Sequence, residues 1–137
     1  MTKALAASLI AGTLVLAAAG PAVAHHSFAM FDQTKVITLS GTVREFQWTN
    51  PHAFIELDVA NGGKTRHWSI ELNSPNNLKR QGWHRTSLKG GETVSVRIAP
   101  LRNGQPGGLF LDLRKANGQQ LDSGLPKNGT PVNVPRL

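Results

Sequence analysis

The stretch QWTNPHAFIELDVANGGKTRHWSIEL, residues 47–72, decides the predicted fold. It contains two runs in which apolar and polar side chains alternate, His52–Val59 and Thr65–Leu72, separated by the turn-forming sequence Asn61-Gly62-Gly63. Alternation with a period of two is typical of a strand that buries one face. An Asn-Gly or Gly-Gly two-residue turn places both apolar sides on the same face. The stretch therefore predicts a β-hairpin.

The polar face of this hairpin carries the most informative chemistry in the chain. It gathers two histidines and three carboxylates around one aromatic ring: His52, Phe54, Glu56, Asp58, His67 and Glu71, with Thr65 and Ser69 beside them. Glu56 or Asp58 is expected opposite His67, depending on which two residues form the turn.

Four more elements complete the predicted domain. A long strand, Lys35–Phe46, precedes the hairpin and has Gly41 in its middle, where glycine usually marks a bulge or a bend. A short helix over 76–81 follows, with Ser74 as N-cap, Pro75 at the first helical position and Gly82 at its C-terminal end. The last two elements are the strands Glu92–Ala99 and Leu109–Lys115.

This order of elements predicts an all-β fold with one short helix, an OB-fold-like five-stranded antiparallel Greek-key barrel. A bent first strand that pairs at both ends would close the barrel; an open sandwich of the same strands is the alternative. Phe110, Asp112 and Arg114 are expected to point outward, and Trp83 inward. The other residues expected inside are Ile37, Leu39, Val43, Ile55, Leu57, Trp68, Ile70, Val94, Val96, Ile98, Leu109, Leu111 and Leu113.

The first 24 residues read as a secretory signal peptide. Lys3 precedes a nearly unbroken apolar run, Ala4–Ala19, and an A-x-A signal ends at Ala24. The run is shorter than the roughly 20 residues that span a bilayer. We expect cleavage after Ala24, no transmembrane segment afterwards, and a periplasmic or secreted protein.

The mature chain then divides into three parts. Residues 25–34 form an N-terminal arm, and Phe28, Met30 and Phe31 are apolar enough to hold it against the barrel. Residues 35–116 form the barrel domain. Residues 117–137 are rich in Gly, Asn and Pro without a period, which predicts a flexible C-terminal tail.

Composition excludes several classes of site. The chain has no cysteine, so disulfides, thiolate metal sites and covalent haem attachment are all excluded. The formal net charge of +7 predicts attraction to anionic surfaces such as lipid headgroups or polyanions.

Four motifs resemble one family of small exported bacterial proteins, the domain-of-unknown-function family 6152. They are AHHSFAMFD at residues 24–32, TNPHAFIELDV at 49–59, the W-S-I-E-L-x-S-P run at 68–75 that continues to Gly82-Trp83, and PLRNGQPGG at 100–108. The resemblance implies an exported, cysteine-free β domain. It supplies no activity and no catalytic residue.

OB-folds commonly bind ligands on the outer face of strands two and three, beside the loop between strands four and five. In this chain that is the polar face of the hairpin and the loop PLRNGQPGG. The predicted ligand-binding residues are Trp48, Asn50, His52, Phe54, Glu56, His67 and Glu71. We expect a non-catalytic binding module for an envelope partner protein, an envelope polymer or a small ligand.

A divalent-metal protein is the alternative. Cleavage after Ala24 would give His25 a free amine, which with its imidazole can chelate Cu(II) or Zn(II). The candidate ligands are His25, His26, His52 and His67, with His84 as a further donor. No other cofactor is predicted.

Catalysis and nucleic-acid binding are disfavoured. Carboxylates on an exposed face stay ionised and are poorly suited to acid–base work, and the sequence has no nucleophile elbow and no phosphate-binding loop. A basic OB-fold could bind nucleic acid, but its binding face here is acidic at the centre.

Overall fold

The computed structural model describes residues 28–123, and in that part the chain forms six strands and one helix. They are β1 (Ile37–Gln47), β2 (Phe54–Asn61), β3 (Lys64–Glu71), α1 (Pro75–Arg80), β4 (Thr93–Pro100), β5 (Gly107–Lys115) and β6 (Gln120–Asp122). The predicted order of five strands with a helix between the third and the fourth is confirmed.

The first five strands close into a barrel with the OB-fold topology. Their sheet order is β3-β2-β1-β4-β5, and β5 returns to pair with β3. The barrel is therefore confirmed over the open sandwich. The prediction that every pair is antiparallel is wrong, because β3 and β5 run parallel. The chain crosses the end of the barrel through α1 and returns through β4, so β5 runs in the direction of β3.

Closure depends on β1, which pairs with β4 along Ile37–Thr42 and with β2 along Thr42–Gln47. At the changeover, a Cβ on Gly41 would overlap the carbonyl oxygen of Asp58. The register shift lies three residues later, at Arg44 rather than at Gly41 itself. A second close approach occurs at Gly108 between β3 and β4, where a Cβ would lie 2.5 Å from the carbonyl oxygen of Ala99.

The central hairpin has the predicted register. Asn61 pairs with Lys64, so Gly62 and Gly63 form the two-residue turn, and both have a positive φ (56° and 80°). This geometry is typical of the tight turns that match strand twist. Ile55, Leu57 and Ile70 are consequently fully buried.

The helix α1 begins and ends as its sequence predicts. Asn77 N–H donates to the hydroxyl of Ser74 at 3.3 Å, and Pro75 is the first helical residue. At the other end, Gly82 has a positive φ, its N–H donates to Lys79 O, and Trp83 N–H donates to Leu78 O. These two bonds form a Schellman motif, which satisfies the last carbonyls of the helix.

The core confirms most of the predicted inward residues. The core contains Leu39, Val43, Ile55, Leu57, Ile70, Val94, Val96, Ile98, Leu113 and Trp83. Leu109 and Leu111 are buried outside this cluster, and Ile37 and Trp68 are only half-buried.

Phe110 was predicted to point outward and is buried, at 1% exposed. A register shift in the β4–β5 pair leaves Leu111 without a partner on β4, so the alternation changes phase there. Phe110 therefore packs edge-on against Trp83 in the core, and Leu109 joins a separate cluster with Phe31 and Ala99.

Both ends of the described chain pack against the barrel. Phe31 is 2% exposed and bridges to Leu101, as expected of the arm, but Phe28 and Met30 are exposed. The prediction of a loose tail is wrong for its first residues, since β6 pairs with β5 and Asp122 O accepts the indole N–H of Trp83. Residues 124–137 lie outside the described part. Within residues 28–123, no helix is long and apolar enough to cross a membrane.

Replacing Gly41 by alanine is expected to destabilise the protein by about 1–3 kcal/mol, because the added methyl group meets the backbone of Asp58. A glycine-to-alanine change with room for the methyl group would instead stabilise by about 0.4–1 kcal/mol. Urea denaturation distinguishes destabilisation from stabilisation by measuring the free energy of unfolding of Gly41→Ala. Ser40→Ala, at the adjacent exposed position, is the control. Equal or greater stability of Gly41→Ala would contradict the close approach.

Candidate ligand-binding site

Strand alternation places one row of polar side chains on the outer face of the β2–β3 hairpin. Phe54 lies opposite Glu71, Glu56 opposite Ser69, and Asp58 opposite His67. The side chains of cross-strand neighbours have Cβ atoms about 5 Å apart, which is close enough for direct contact. The sequence left open whether Glu56 or Asp58 would face His67; the Gly62-Gly63 turn sets the register so that Asp58 does.

His67 lies between two carboxylates and contacts both. Its Nε2 is 2.6 Å from Glu56 Oε2, and its Nδ1 is 3.2 Å from Asp58 Oδ1. Glu56 also accepts a hydrogen bond from the hydroxyl of Ser69 at 2.9 Å. A neutral imidazole has only one N–H, and ionised carboxylates only accept hydrogen bonds. Both contacts of His67 are therefore hydrogen bonds at the same time only when both of its ring nitrogens carry protons.

Arg44 completes this network from β1. Its guanidinium contacts both oxygens of Asp58, through Nε at 3.1 Å and through a terminal nitrogen at 2.9 Å. The hydrogen bond from Arg44, followed by that from His67, lowers the pKa of Asp58 below its ordinary value of 3.8, against an opposing effect of desolvation. Asp58 is therefore held as a carboxylate.

A second histidine–carboxylate pair lies at the other end of the hairpin. His52 Nδ1 is 2.5 Å from Glu71 Oε1, and the Glu71 side chain is only 16% exposed. Glu71 Oε2 has no partner among the described residues. A carboxylate offers about four lone-pair positions, so Glu71 can accept a further donor.

Glu71 lines a small cleft between the hairpin and the β4–β5 loop. The cleft has a volume of about 190 Å³. Its walls are mostly apolar or backbone and are formed by Met30, Phe31, Phe54, Ser69, Glu71, Leu101, Pro106, Gly107 and Gly108. A ligand pocket typically combines apolar walls with a few polar groups, but for a whole drug-sized ligand it measures about 300–1,000 Å³. This cleft therefore fits one side chain or a small fragment.

Backbone hydrogen bonds fix the walls of the cleft. Ser69 N–H donates to Pro106 O at 3.2 Å, which ties the β4–β5 loop to β3. Arg102 ties the same loop to the arm, because its N–H donates to Met30 O and its Nε to Ala29 O. Walls formed in advance reduce the ordering cost of binding.

The structure brings together part of the predicted site. Phe54 and Glu71 line the cleft, His52 contacts Glu71, and Glu56 with His67 forms the adjacent network. Asn50 is exposed in a bend whose Asn50–Pro51 peptide is cis, and it does not line the cleft.

The prediction that Trp48 forms the rim of the site is wrong. Trp48 is 9% exposed and belongs to the core, where its ring packs edge-on against Phe46. It follows the end of β1, and its large apolar ring joins the core cluster that also contains Leu78 of α1 and Trp83.

Sequence reasoning missed three contributors to the site. Met30 and Phe31 line the cleft from the arm, and Arg44 reaches Asp58 from β1. The apolar composition of the arm indicated that it would pack against the barrel, but nothing in the sequence indicated where.

The metal hypothesis finds no preformed ligand set in the described chain. Within residues 28–123, no three His, Asp or Glu side chains are arranged to hold one ion. His52 contacts Glu71, which lies four positions along β3 from His67. At about 3.3 Å per residue, Glu71 and His67 are roughly 13 Å apart along the strand, so the two histidines belong to separate contacts of the hairpin. His25 and His26 lie outside the described residues, so their chelation of Cu(II) or Zn(II) stays a prediction; His84 is exposed in the α1–β4 connection.

A larger groove, of about 560 Å³, lies on the outer face of β1, β4 and β5 and reaches β6. Its lining is about equally polar and apolar, and two of its charged groups pair, since the guanidinium of Arg97 contacts both oxygens of Asp112. The pair raises the pKa of Arg97 through the hydrogen bonds to Asp112. The cleft has the larger apolar share of its lining, so it suits an apolar side chain better than this groove does.

The fold and the site define a small OB-fold barrel with a narrow apolar cleft beside an acidic outer face. The chain belongs to the domain-of-unknown-function family 6152, described as a family of unknown function, whose model matches residues 12–112. This confirms the resemblance of its motifs. The comparison with curated proteins found no match.

Among solved structures, one match is the mitochondrial single-stranded DNA-binding protein of S. cerevisiae. The two share 11% sequence identity with a TM-score of 0.45, and the alignment covers 62% of this chain and 97% of that one. A likeness at this level carries no argument about function.

Replacing Arg44 by glutamine is expected to raise the pKa of Asp58 toward its ordinary value of 3.8, because the strongest hydrogen bond to the carboxylate is lost. Carboxyl titration by NMR measures it, with Lys64→Gln at the hairpin turn as a control of equal charge change. A lowered pKa stabilises the fold at pH values above 3.8, and this contribution disappears as the pH falls through the folded-state pKa. An unchanged Asp58 titration in Arg44→Gln would contradict the assignment.

Proposed function

We propose that the protein is an exported, non-catalytic binding module that takes one apolar side chain or ring, bearing a cationic group, into the cleft between the β2–β3 hairpin and the β4–β5 loop. The observation that carries this proposal is the position of Glu71. Its carboxylate lies opposite Phe54 on the wall of an otherwise largely apolar cleft and keeps one oxygen without a partner in the described chain.

The charge around the cleft supports a cationic ligand. The outer face of β1, β2 and β3 carries Glu45, Glu56, Asp58 and Glu71, four of the eight acidic residues of a chain with net charge +7. Arg44, which pairs with Asp58, offsets part of this charge. The acidic character of this face opposes binding of a nucleic-acid backbone there, because phosphate contacts require cations. It favours a positively charged segment of an envelope protein or polymer, or a small cation.

The same contacts support binding rather than catalysis. A pair of carboxylates acts as acid and base when its surroundings drive the two pKa values apart and raise one of them. Here the pKa of Asp58 is lowered, and Glu56 is held by His67 and Ser69. Both groups then serve to hold the outer face in place.

Tryptamine is a suitable probe, because it joins an aromatic ring to an ammonium group. We expect binding of the order of 1 mM for a fragment of this size, and clearly weaker binding of indole-3-acetate, which carries the opposite charge. Phe54→Ala and Glu71→Gln should each weaken tryptamine binding about three- to tenfold, which corresponds to the loss of roughly 1 kcal/mol. NMR titration of the ¹⁵N-labelled protein measures the affinities.

Matched controls are available for both variants. Phe28→Ala removes an exposed aromatic ring of the arm that does not line the cleft, and Glu45→Gln removes a carboxylate of the same outer face. Neither residue lines the cleft, so both variants should lose much less tryptamine affinity than Phe54→Ala and Glu71→Gln do. Equal affinity of Phe54→Ala, Glu71→Gln and the controls, with melting temperatures unchanged, would refute the cleft as the binding site.

Export rests on the leader pattern of residues 1–24 and is tested separately. Mass spectrometry of the protein recovered from the cells that naturally produce it should give a chain that begins at His25, in the fraction released with the cell envelope. An intact N-terminus in the cytoplasmic fraction would contradict export and would leave the binding proposal unaffected.

A further inference from the structure

The connection from α1 to β4 is a strongly basic segment. Between Glu71 and Glu92 the sequence has no carboxylate side chain and four cations, Lys79, Arg80, Arg85 and Lys89. We call these four residues the basic cap.

The core holds the basic cap in place on the barrel. Leu78, Trp83 and Leu88 alternate with the cations along the segment, and all three are at most 3% exposed. The Trp83 ring packs against Phe46 and Phe110. Because these apolar residues face the barrel, the four cations lie on the solvent side, and all four are exposed.

The basic cap differs from most other cations of the described chain. Lys35, Arg44, Arg97, Arg102 and Lys115 each form an ion pair with a carboxylate. Within residues 28–123, no residue of the basic cap forms such a pair. The cap therefore presents four unneutralised charges on one fixed segment, while four carboxylates gather on the outer face of β1, β2 and β3.

Stabilisation of the helix α1 explains the positions of only two of the four cations of the basic cap. Lys79 and Arg80 lie in the last turn of α1, where cations interact favourably with the helix dipole. Arg85 and Lys89 lie beyond the helix, so that interaction does not explain them.

We propose that the basic cap docks the protein onto an anionic lipid surface, with its side chains contacting the phosphates of the headgroups. This function is separate from that of the cleft. A cluster of exposed cations suffices for attraction to anionic headgroups, which requires no complementary pocket. A single-stranded nucleic acid also requires aromatic rings exposed among the cations for base stacking, and the aromatic ring of this segment, Trp83, is 1% exposed.

The test compares vesicle binding by two variants of equal net charge. The cap variant changes Lys79, Arg80, Arg85 and Lys89 to glutamine. The control variant changes the same number of Lys and Arg residues among exposed cations elsewhere, namely Lys35, Lys64, Arg66 and Arg114. Both are expressed from the full chain, so any contribution from its first 24 residues is the same in the two proteins. Co-sedimentation uses vesicles of phosphatidylcholine alone and of phosphatidylcholine with phosphatidylglycerol.

The wild type should bind the vesicles that contain phosphatidylglycerol, and it should bind less as salt shortens the screening length. The cap variant should lose affinity by about a hundredfold or more, and the control variant by less than about tenfold, with melting temperatures that show both to be folded. Equal losses of vesicle affinity in the two variants would mean that binding depends on net charge alone, which would overturn the proposal. Tighter binding to a single-stranded DNA oligonucleotide than to these vesicles, lost in the cap variant, would also overturn it.

Discussion

The structure depends on the close approach of neighbouring backbones at the two points where the barrel closes. At Gly41 the long strand β1 passes from β4 to β2, and at Gly108 the strand β5 enters between β3 and β4. A Cβ at either position would overlap a carbonyl oxygen of the adjacent strand. Closure there turns the apolar rows of all five strands inward. It also brings the start of β5 and the loop before it against β3, which forms the cleft.

The hairpin and the helix could be predicted because local chemistry determines them. Two alternating runs and a Gly62-Gly63 turn fix the register, which in turn places His67 between Glu56 and Asp58. Ser74, Pro75 and Gly82 determine where the helix starts and stops. The acidic outer face follows from the same period-two pattern, so the sequence alone located most of the candidate site.

Three features could not be predicted because they depend on tertiary contacts. Phe110 is buried because β5 has an unpaired residue at Leu111, and a bulge leaves no periodic signal. Trp48 is buried because the end of β1 meets the aromatic cluster at the α1 end of the barrel. The arm is held beside the cleft by a bridge between Phe31 and Leu101 and by hydrogen bonds from Arg102 to Met30 and Ala29. These contacts have no counterpart in the sequence pattern.

The central claim is that the cleft beside Glu71, and not the larger groove beside Arg97, receives the ligand. Intermolecular NOEs between tryptamine and the isotope-labelled protein test it most directly, because they report which side chains lie within a few ångströms of the ring. The account predicts NOEs from the indole protons to Phe54, Met30 and Leu101. NOEs to Thr38 and Leu121 instead would place the ligand in the larger groove and contradict it.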